Sequence, residues 1–293
     1  VRRAGVVVEV ERRETSLEGR LARRAGMSGR PTLGILGFGR FGGFLASRLR
    51  EDFTVVVSDV LDRREEARAA GARWGTVDQV AACRWIVPAV PIGRLRDALA
   101  DLAPRLAPGA TVVEVSSVKT LPSRWLRELL PSDVTAVATH PLFGPDSAAR
   151  SLKGLPFVVC PLPSQAAAAA RVCAYARRRG LRVVRLEAAE HDELMARTQA
   201  LTFFLSRVLT RLDLPDPESP VGTLSYRRLR AALASVARDT DELYRDLVQL
   251  NPHARRFVED VASAVAAERA GLTRGSATPS CWDGTNSGRR PGP

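Results

Sequence analysis

Apolar residues follow two rhythms along this chain, and the change from one to the other falls near residue 190. In the first half, short runs rich in Val, Ile and Leu at 33–36, 54–57, 85–90, 111–115 and 134–138 alternate with stretches of helical spacing. Such runs read as buried strands, and the helices between them predict βαβ units and a parallel sheet. A strand at 157–160, an alanine-rich helix at 165–179 and a strand at 183–186 extend the pattern. From Glu190 onward, Leu194, Leu201, Phe204, Leu205, Val208 and Leu212 recur every three to four residues, the spacing of one helix face. Leu229, Leu233 and Val236, then Leu243, Leu247 and Leu250, then Phe257, Val261 and Val265 predict further helices. The expected division is an α/β domain over 31–188 and an all-helical domain over 189–272, without internal repeats.

The two ends fit neither rhythm. Residues 1–30 are charged and aperiodic and are expected to be a loose extension. Residues 273–293 are dominated by Gly, Ser, Thr, Pro and Arg, too poor in apolar side chains to offset ordering entropy, so a disordered tail is expected there.

Composition narrows the function more than the fold. Of the 293 residues, 45% are hydrophobic and 26% charged, the balance of an ordinary globular protein. A net charge of +12 raises nucleic-acid binding, but the arginines are spread over the whole chain and the lysines are Lys119 and Lys153 alone. No basic block is interleaved with aromatic residues that would stack on bases, so nucleic acid is not expected as a partner. Cys83, Cys160, Cys173 and Cys281 form no C-x-x-C pair, which argues against a metal site or a disulfide framework and fits a reducing cytoplasm. No apolar run reaches the roughly 18 residues of a membrane span.

The first chemistry-bearing segment is Gly37-Phe38-Gly39-Arg40-Phe41-Gly42, which follows a strand and opens a helix. In that context the first glycine permits a tight turn, the second lets backbone approach a pyrophosphate, and the third lets the helix pack closely on the sheet. The free N–H groups of the helix start supply positive potential for the phosphates. Asp59, 22 residues beyond Gly37 at the end of the second strand, stands where a carboxylate accepts hydrogen bonds from an adenosine ribose. This favours NAD, while Ser58, Arg63 and Arg64 leave NADP open. The fold class expected is therefore a Rossmann-type doubly wound parallel sheet followed by the helical domain.

Two more segments sit at strand ends, where open α/β sheets bind ligands: Glu114-Val115-Ser116-Ser117-Val118-Lys119, and Thr139-His140-Pro141-Leu142-Phe143-Gly144-Pro145-Asp146-Ser147. With the glycine loop and Glu190-His191-Asp192, in the same order, they resemble the prephenate and arogenate dehydrogenase family of tyrosine biosynthesis. The resemblance covers roughly residues 32–270. It implies oxidative decarboxylation of a cyclohexadienol ring, with hydride passing from C4 to a nicotinamide and the ring carboxylate leaving as carbon dioxide.

By that resemblance His140, on an H-P turn, hydrogen-bonds the ring hydroxyl, a task suited to an imidazole of unperturbed pKa near 6.5. Ser117 takes the place of the serine that shares this hydroxyl or holds the histidine. Ser116, Lys119, Asp146, His191 and Gln199 are substrate-binding candidates. For Lys119 a surface charge is the alternative, for Asp146 a turn-stabilising role, and for His191 with Asp192 a helix start that complements the helix dipole. Many bacterial members carry a carboxylate-binding arginine where counting back from Tyr244 gives Ser235, and Arg230 or Arg238, about one turn away on either side, is expected to replace it. Prephenate, arogenate and a 4-amino-4-deoxyprephenate-like substrate all fit the scheme. A non-catalytic dinucleotide-binding protein is the other reading. Amphipathic faces in the helical half predict a homodimer.

Overall fold

The computed structural model describes residues 30–236 and 239–274; of the expected loose ends, 1–29 and 275–293 lie outside the described residues, as do Cys281 and Arg238, while Thr273 and Arg274, expected in the disordered tail, belong to the last helix. Eight strands form one sheet in the order β3-β2-β1-β4-β5-β6-β7-β8. They are β1 (Thr32–Leu36), β2 (Thr54–Ser58), β3 (Arg73–Trp74), β4 (Trp85–Pro88), β5 (Thr111–Glu114), β6 (Thr135–Pro141), β7 (Pro156–Cys160) and β8 (Arg182–Arg185). All neighbours are parallel except β6 and β7, which pair antiparallel.

Helices cover both faces, and strict alternation along each strand divides the core in two. Val56, Ile86, Val112, Ala136, Ala138 and Val158 face one way. There they meet Leu95, Leu99 and Leu102 of α4 (Ile92–Leu102) and Leu126 of α5 (Thr120–Leu129). Val55, Val57, Ile35 and Val87 face the other way, against Ala46 of α1 (Arg40–Leu49). Val137, Phe157 and Val159 continue that second face against Ala169, Val172 and Cys173 of α6 (Ala166–Arg178). Helices α2 (Arg64–Ala69) and α3 (Val77–Ala81) complete this part. Each fully buried Leu or Ile contributes roughly 1.5–3 kcal/mol of transfer free energy, so the spacing at 95, 99 and 102 fixes which side of α4 meets the sheet.

Two expectations change. The two-residue strand β3 was too short to stand out as a run. The strand expected at 134–138 extends to Pro141, so His140 lies within β6 rather than on a turn. The cause is the antiparallel neighbour: His140 registers with Val158 and Pro141 with Phe157, which prolongs the ladder.

Strand signals stop at β8, and the chain continues as α7 (Ala188–Met195), a π-helical turn (Ala196–Ala200), α8 (Leu201–Leu209), α9 (Leu224–Val236), α10 (Asp241–Gln249) and α11 (Ala254–Arg274). Ile92 and Val118 of the first part pack with Phe203 and Leu247 of the second. Among the described residues no helix is long and apolar enough to cross a membrane.

Candidate active site

Three of the helices that begin at the carboxyl ends of their strands, α1, α4 and α5, frame the site, and each starts with backbone N–H groups that have no partner within the helix. Two are plugged by carboxylates from the helical part. Asp246 of α10 accepts the Gly93 N–H of α4 at 2.9 Å. Asp192 of α7 accepts the N–H groups of Lys119 at 2.7 Å and Thr120 at 2.8 Å, at the start of α5. Asp192 thus complements a helix dipole, as expected, but that of α5 rather than of its own helix, because tertiary packing delivers it there.

The third start, that of α1 at the glycine loop, has no side-chain cap and no acidic residue in its first turn. Gly37 adopts φ +96°, where a side chain is strained, and a Cβ there would lie 2.6 Å from the Ala89 carbonyl oxygen. At Gly42 a Cβ would come within 2.1 Å of the Gly37 oxygen. At Gly39 it would meet no protein atom within 4 Å, so the space beside the middle glycine is open on the side a pyrophosphate would take. Asp59 accepts Phe38 N–H at 2.5 Å and Leu61 N–H at 2.9 Å. A carboxylate offers about four lone-pair directions, which leaves capacity for ribose hydroxyls. Ser58 is buried, and its carbonyl accepts Gly37 N–H at 2.8 Å. These residues fit a dinucleotide.

The side chains around the loop divide the work. Phe38 is turned into the core. Phe41 contacts Phe44, which meets Phe143 edge-on at 6.3 Å and so ties α1 to the segment after β6. Arg40 bridges Asp146 at 3.0 Å and Asp239 at 3.2 Å. The Asp146 carboxylate, expected at a substrate side chain, therefore faces a guanidinium beside the glycine loop.

The centre of the site is a buried chain of polar groups. His140, 2% exposed, has Nδ1 at 2.9 Å from His191 Nε2. His191 Nδ1 lies 2.9 Å from Asp192 Oδ1. His191, expected at the cleft, is completely buried behind His140; it touches the other imidazole rather than any space a substrate could fill. Below them Lys119 is also completely buried, its ammonium bonded to the Glu114 carboxylate and, at 2.5 Å, to the Thr139 carbonyl. This corrects both readings of Lys119, the surface charge and the substrate ligand, since an interior carboxylate takes its charge. Ser116, another substrate candidate, turns its hydroxyl to Glu114 and to the Val118 carbonyl. Ser117 is half-buried in the same loop.

Among the described residues, the sealed side-chain polar atoms without a partner are Ser123 Oγ and Gln199 Oε1. His140 Nε2 likewise meets no hydrogen-bond partner among them, and it is not one of the sealed atoms. Gln199 sits on the π-turn, a distortion frequent at functional sites. Arg230 is half-buried on α9.

Sequence reasoning missed Glu114, Asn251 and Asp246. An acidic residue closing an apolar strand five positions before one of two lysines was a usable signal for Glu114. Asn251, which donates to the Asp192 carbonyl at 2.8 Å, gave none.

Burial holds the His140 pKa well below the usual imidazole value, with His191 and Lys119 adding to it. Burial also lowers His191, offset in part by the hydrogen bond to Asp192. Burial alone would raise Asp192, but hydrogen bonds from His191, Thr120 and Lys119 outweigh it and hold the carboxyl below its ordinary range. Both imidazoles bind protons less readily folded than unfolded, so their contribution to stability is fully present above about pH 6.5 and is lost as pH falls through the lower folded values. The melting temperature is expected to drop between about pH 7.5 and pH 5.5; a flat thermal-shift profile over that window would contradict the burial of two neutral rings.

Comparison with known proteins agrees with this layout. The family described as prephenate dehydrogenase, nucleotide-binding domain, matches residues 45–185. Over 242 residues the chain is 29% identical to arogenate dehydrogenase 2, chloroplastic, of Arabidopsis thaliana, covering 78% of this chain and 66% of that protein. It is 33% identical over 207 residues to 4-amino-4-deoxyprephenate dehydrogenase of Streptomyces pristinaespiralis, covering 68% of this chain and 64% of that one. The chain thus spans just under two thirds of the length of either relative. Prephenate dehydrogenase from A. aeolicus, solved with hydroxyphenyl propionate and NAD+, shares the fold with a TM-score of 0.67 at 17% identity, over 85% of this chain and 92% of that one. Together with the open glycine loop and the strand-borne His140, these matches make the chain similar to the prephenate/arogenate dehydrogenases over most of its length, and the solved structure shows the shared fold.

Proposed function

We propose that this protein oxidatively decarboxylates a cyclohexadienol carboxylate, prephenate or arogenate, giving 4-hydroxyphenylpyruvate or tyrosine. The observation that carries the reading is His140: a buried imidazole on a rigid strand, with Nδ1 engaged and Nε2 free of described partners, near the carboxyl end of β6 as the glycine loop is at the carboxyl end of β1. A dinucleotide held at that loop supplies the hydride acceptor. Nε2 of His140 accepts or shares the proton of the C4 hydroxyl as carbonyl character develops, and Ser117 orients the same hydroxyl or the ring. Loss of the C1 carboxylate returns its bonding pair to the ring, which becomes aromatic.

NAD is the proposed cofactor. Asp59 would repel a 2′-phosphate, and Arg64, which could attract one, is bonded to Asp62 at 3.0 Å. Gln199, half-buried on the π-turn, is proposed as a substrate contact. Arg230 is proposed to bind the ring carboxylate, with Arg238 as the other candidate. Hydrogen bonds to charged groups are worth about 1.5–3 kcal/mol, so Arg230→Ala is expected to raise KM roughly 10- to 100-fold with kcat changed much less; an unchanged KM would transfer the role to Arg238. The helical part is proposed to complete the substrate site and to pair two copies through exposed Leu224, Leu229 and Val265.

A second substrate, the 4-amino analogue, is favoured by the identity to the Streptomyces enzyme, and an open imidazole nitrogen accepts from an amine as it does from a hydroxyl. One assay matrix decides among them: purified protein with each of the three substrates and with NAD or NADP, followed by nicotinamide absorbance. Turnover of none of the six combinations would overturn the proposed function.

A further inference from the structure

We propose that His191 and Asp192 are positioning residues that form a proton wire with His140, fixing Nε2 of His140 as the base and taking the substrate proton onto His191. The inference rests on the proposed function for its substrate, but the wire itself is a property of the resting protein.

The tautomers follow from the hydrogen bonds, beginning at the end whose protons are known. Backbone N–H groups can only donate, and two of them, from Lys119 and Thr120, point at the two oxygens of Asp192. A third donor is needed to explain the 2.9 Å contact between Asp192 Oδ1 and His191 Nδ1, because an ionised carboxylate only accepts. His191 therefore carries its proton on Nδ1. A neutral imidazole has one N–H and one lone pair, so His191 Nε2 is an acceptor. The 2.9 Å contact to His140 Nδ1 then requires His140 to donate. His140 in turn keeps its lone pair on Nε2, the nitrogen that meets no described partner. The start of α5 thereby sets the proton position two side chains away.

The same geometry gives the proton somewhere to go. When Nε2 of His140 takes the hydroxyl proton, its Nδ1 proton can pass along the existing hydrogen bond to His191 Nε2. One proton enters and none is lost; His140 returns to neutral with its proton on Nε2, and His191 becomes a cation whose Nδ1–H still faces the Asp192 carboxylate. The charged groups around the wire favour that end. Burial opposes a charge on either ring; beyond burial, His140 is opposed by His191 and Lys119, whereas His191 is opposed by Lys119 and favoured by Asp192 of its own helix and Glu114 of β5.

Two measurements on the full chain test the wire. Nitrogen-15 NMR of the imidazoles, with no substrate present, is expected to show His140 protonated on Nδ1 and bare on Nε2; protonation on Nε2 would overturn the proposal. In His191→Leu the acceptor is gone, so kcat is expected to fall about 100-fold with KM within a few-fold, and the acid limb of the kcat profile is expected to move. His191→Gln, whose amide oxygen accepts from His140 Nδ1 but cannot carry the proton on, is expected to restore the tautomer and only part of kcat. A His191→Leu or His191→Gln enzyme with wild-type kcat and an unmoved pH profile would overturn it. If the unmodified protein turns over none of the substrates, the proposed function falls while the nitrogen-15 pattern still decides the wire.

Discussion

His140→Asn is expected to lower kcat about 1,000-fold, within the 10²- to 10⁴-fold range of general acid–base catalysis, while leaving dinucleotide affinity unchanged. Asparagine is small enough for β6, and its amide can still donate to His191 Nε2, so the packing behind the ring survives. What it lacks is a basic nitrogen where Nε2 stands. The dinucleotide loop is built from other elements, chiefly Gly37, Gly39 and Asp59, and should not register the change. Steady-state kinetics with equilibrium NAD binding separates the two effects. A variant whose kcat stays within about tenfold of the parent would remove the imidazole from the chemistry and with it the single observation on which the proposed function rests.

Lys119→Met is expected to cost about 3–5 kcal/mol of folding stability. The ammonium is completely buried and paired with Glu114, itself completely buried. Removing one partner strands the other charge in a medium that solvates it poorly, whereas removing both leaves no charge to solvate. The pair Lys119→Met with Glu114→Leu should therefore recover part of the loss, though not all, because Glu114 also accepts the Ser116 N–H at 2.5 Å. Urea unfolding of the two variants checks both statements; a single variant destabilised by less than about 1 kcal/mol would place the ammonium in water rather than inside. The position matters to function because Lys119 also holds the Thr139 carbonyl, one residue before His140.

The elements of the sheet part were legible because continuous apolar runs such as Thr54–Ser58 are buried on both faces and bounded by turns. The glycine loop was legible for a different reason: its demands are local, a positive φ at Gly37 and a close approach at Gly42. β3 escaped notice because two residues, one exposed and one half-buried, carry no period.

Side-chain roles behaved otherwise. His140, Ser117 and Lys119 were all marked by motif, but the motif could not say which of them faces outward. Lys119 and His191 proved to be interior because Glu114, Thr139 and Asp192, from β5, β6 and α7, converge on them. Asp146 was expected at a substrate and lies against Arg40, an encounter between residues 106 positions apart.

What the sequence determined by itself was the two-part architecture, the resemblance to the prephenate and arogenate dehydrogenases, and the open helix start at the glycine loop, since each depends on periods and spacings within a few tens of residues. What the tertiary structure decided was the direction of every charge around His140. Those directions come from contacts between distant segments, such as His140 with His191, 51 residues apart, and Lys119 with Asp192, 73 residues apart. A buried charge must find its partner wherever the fold brings one, and no local pattern encodes that meeting.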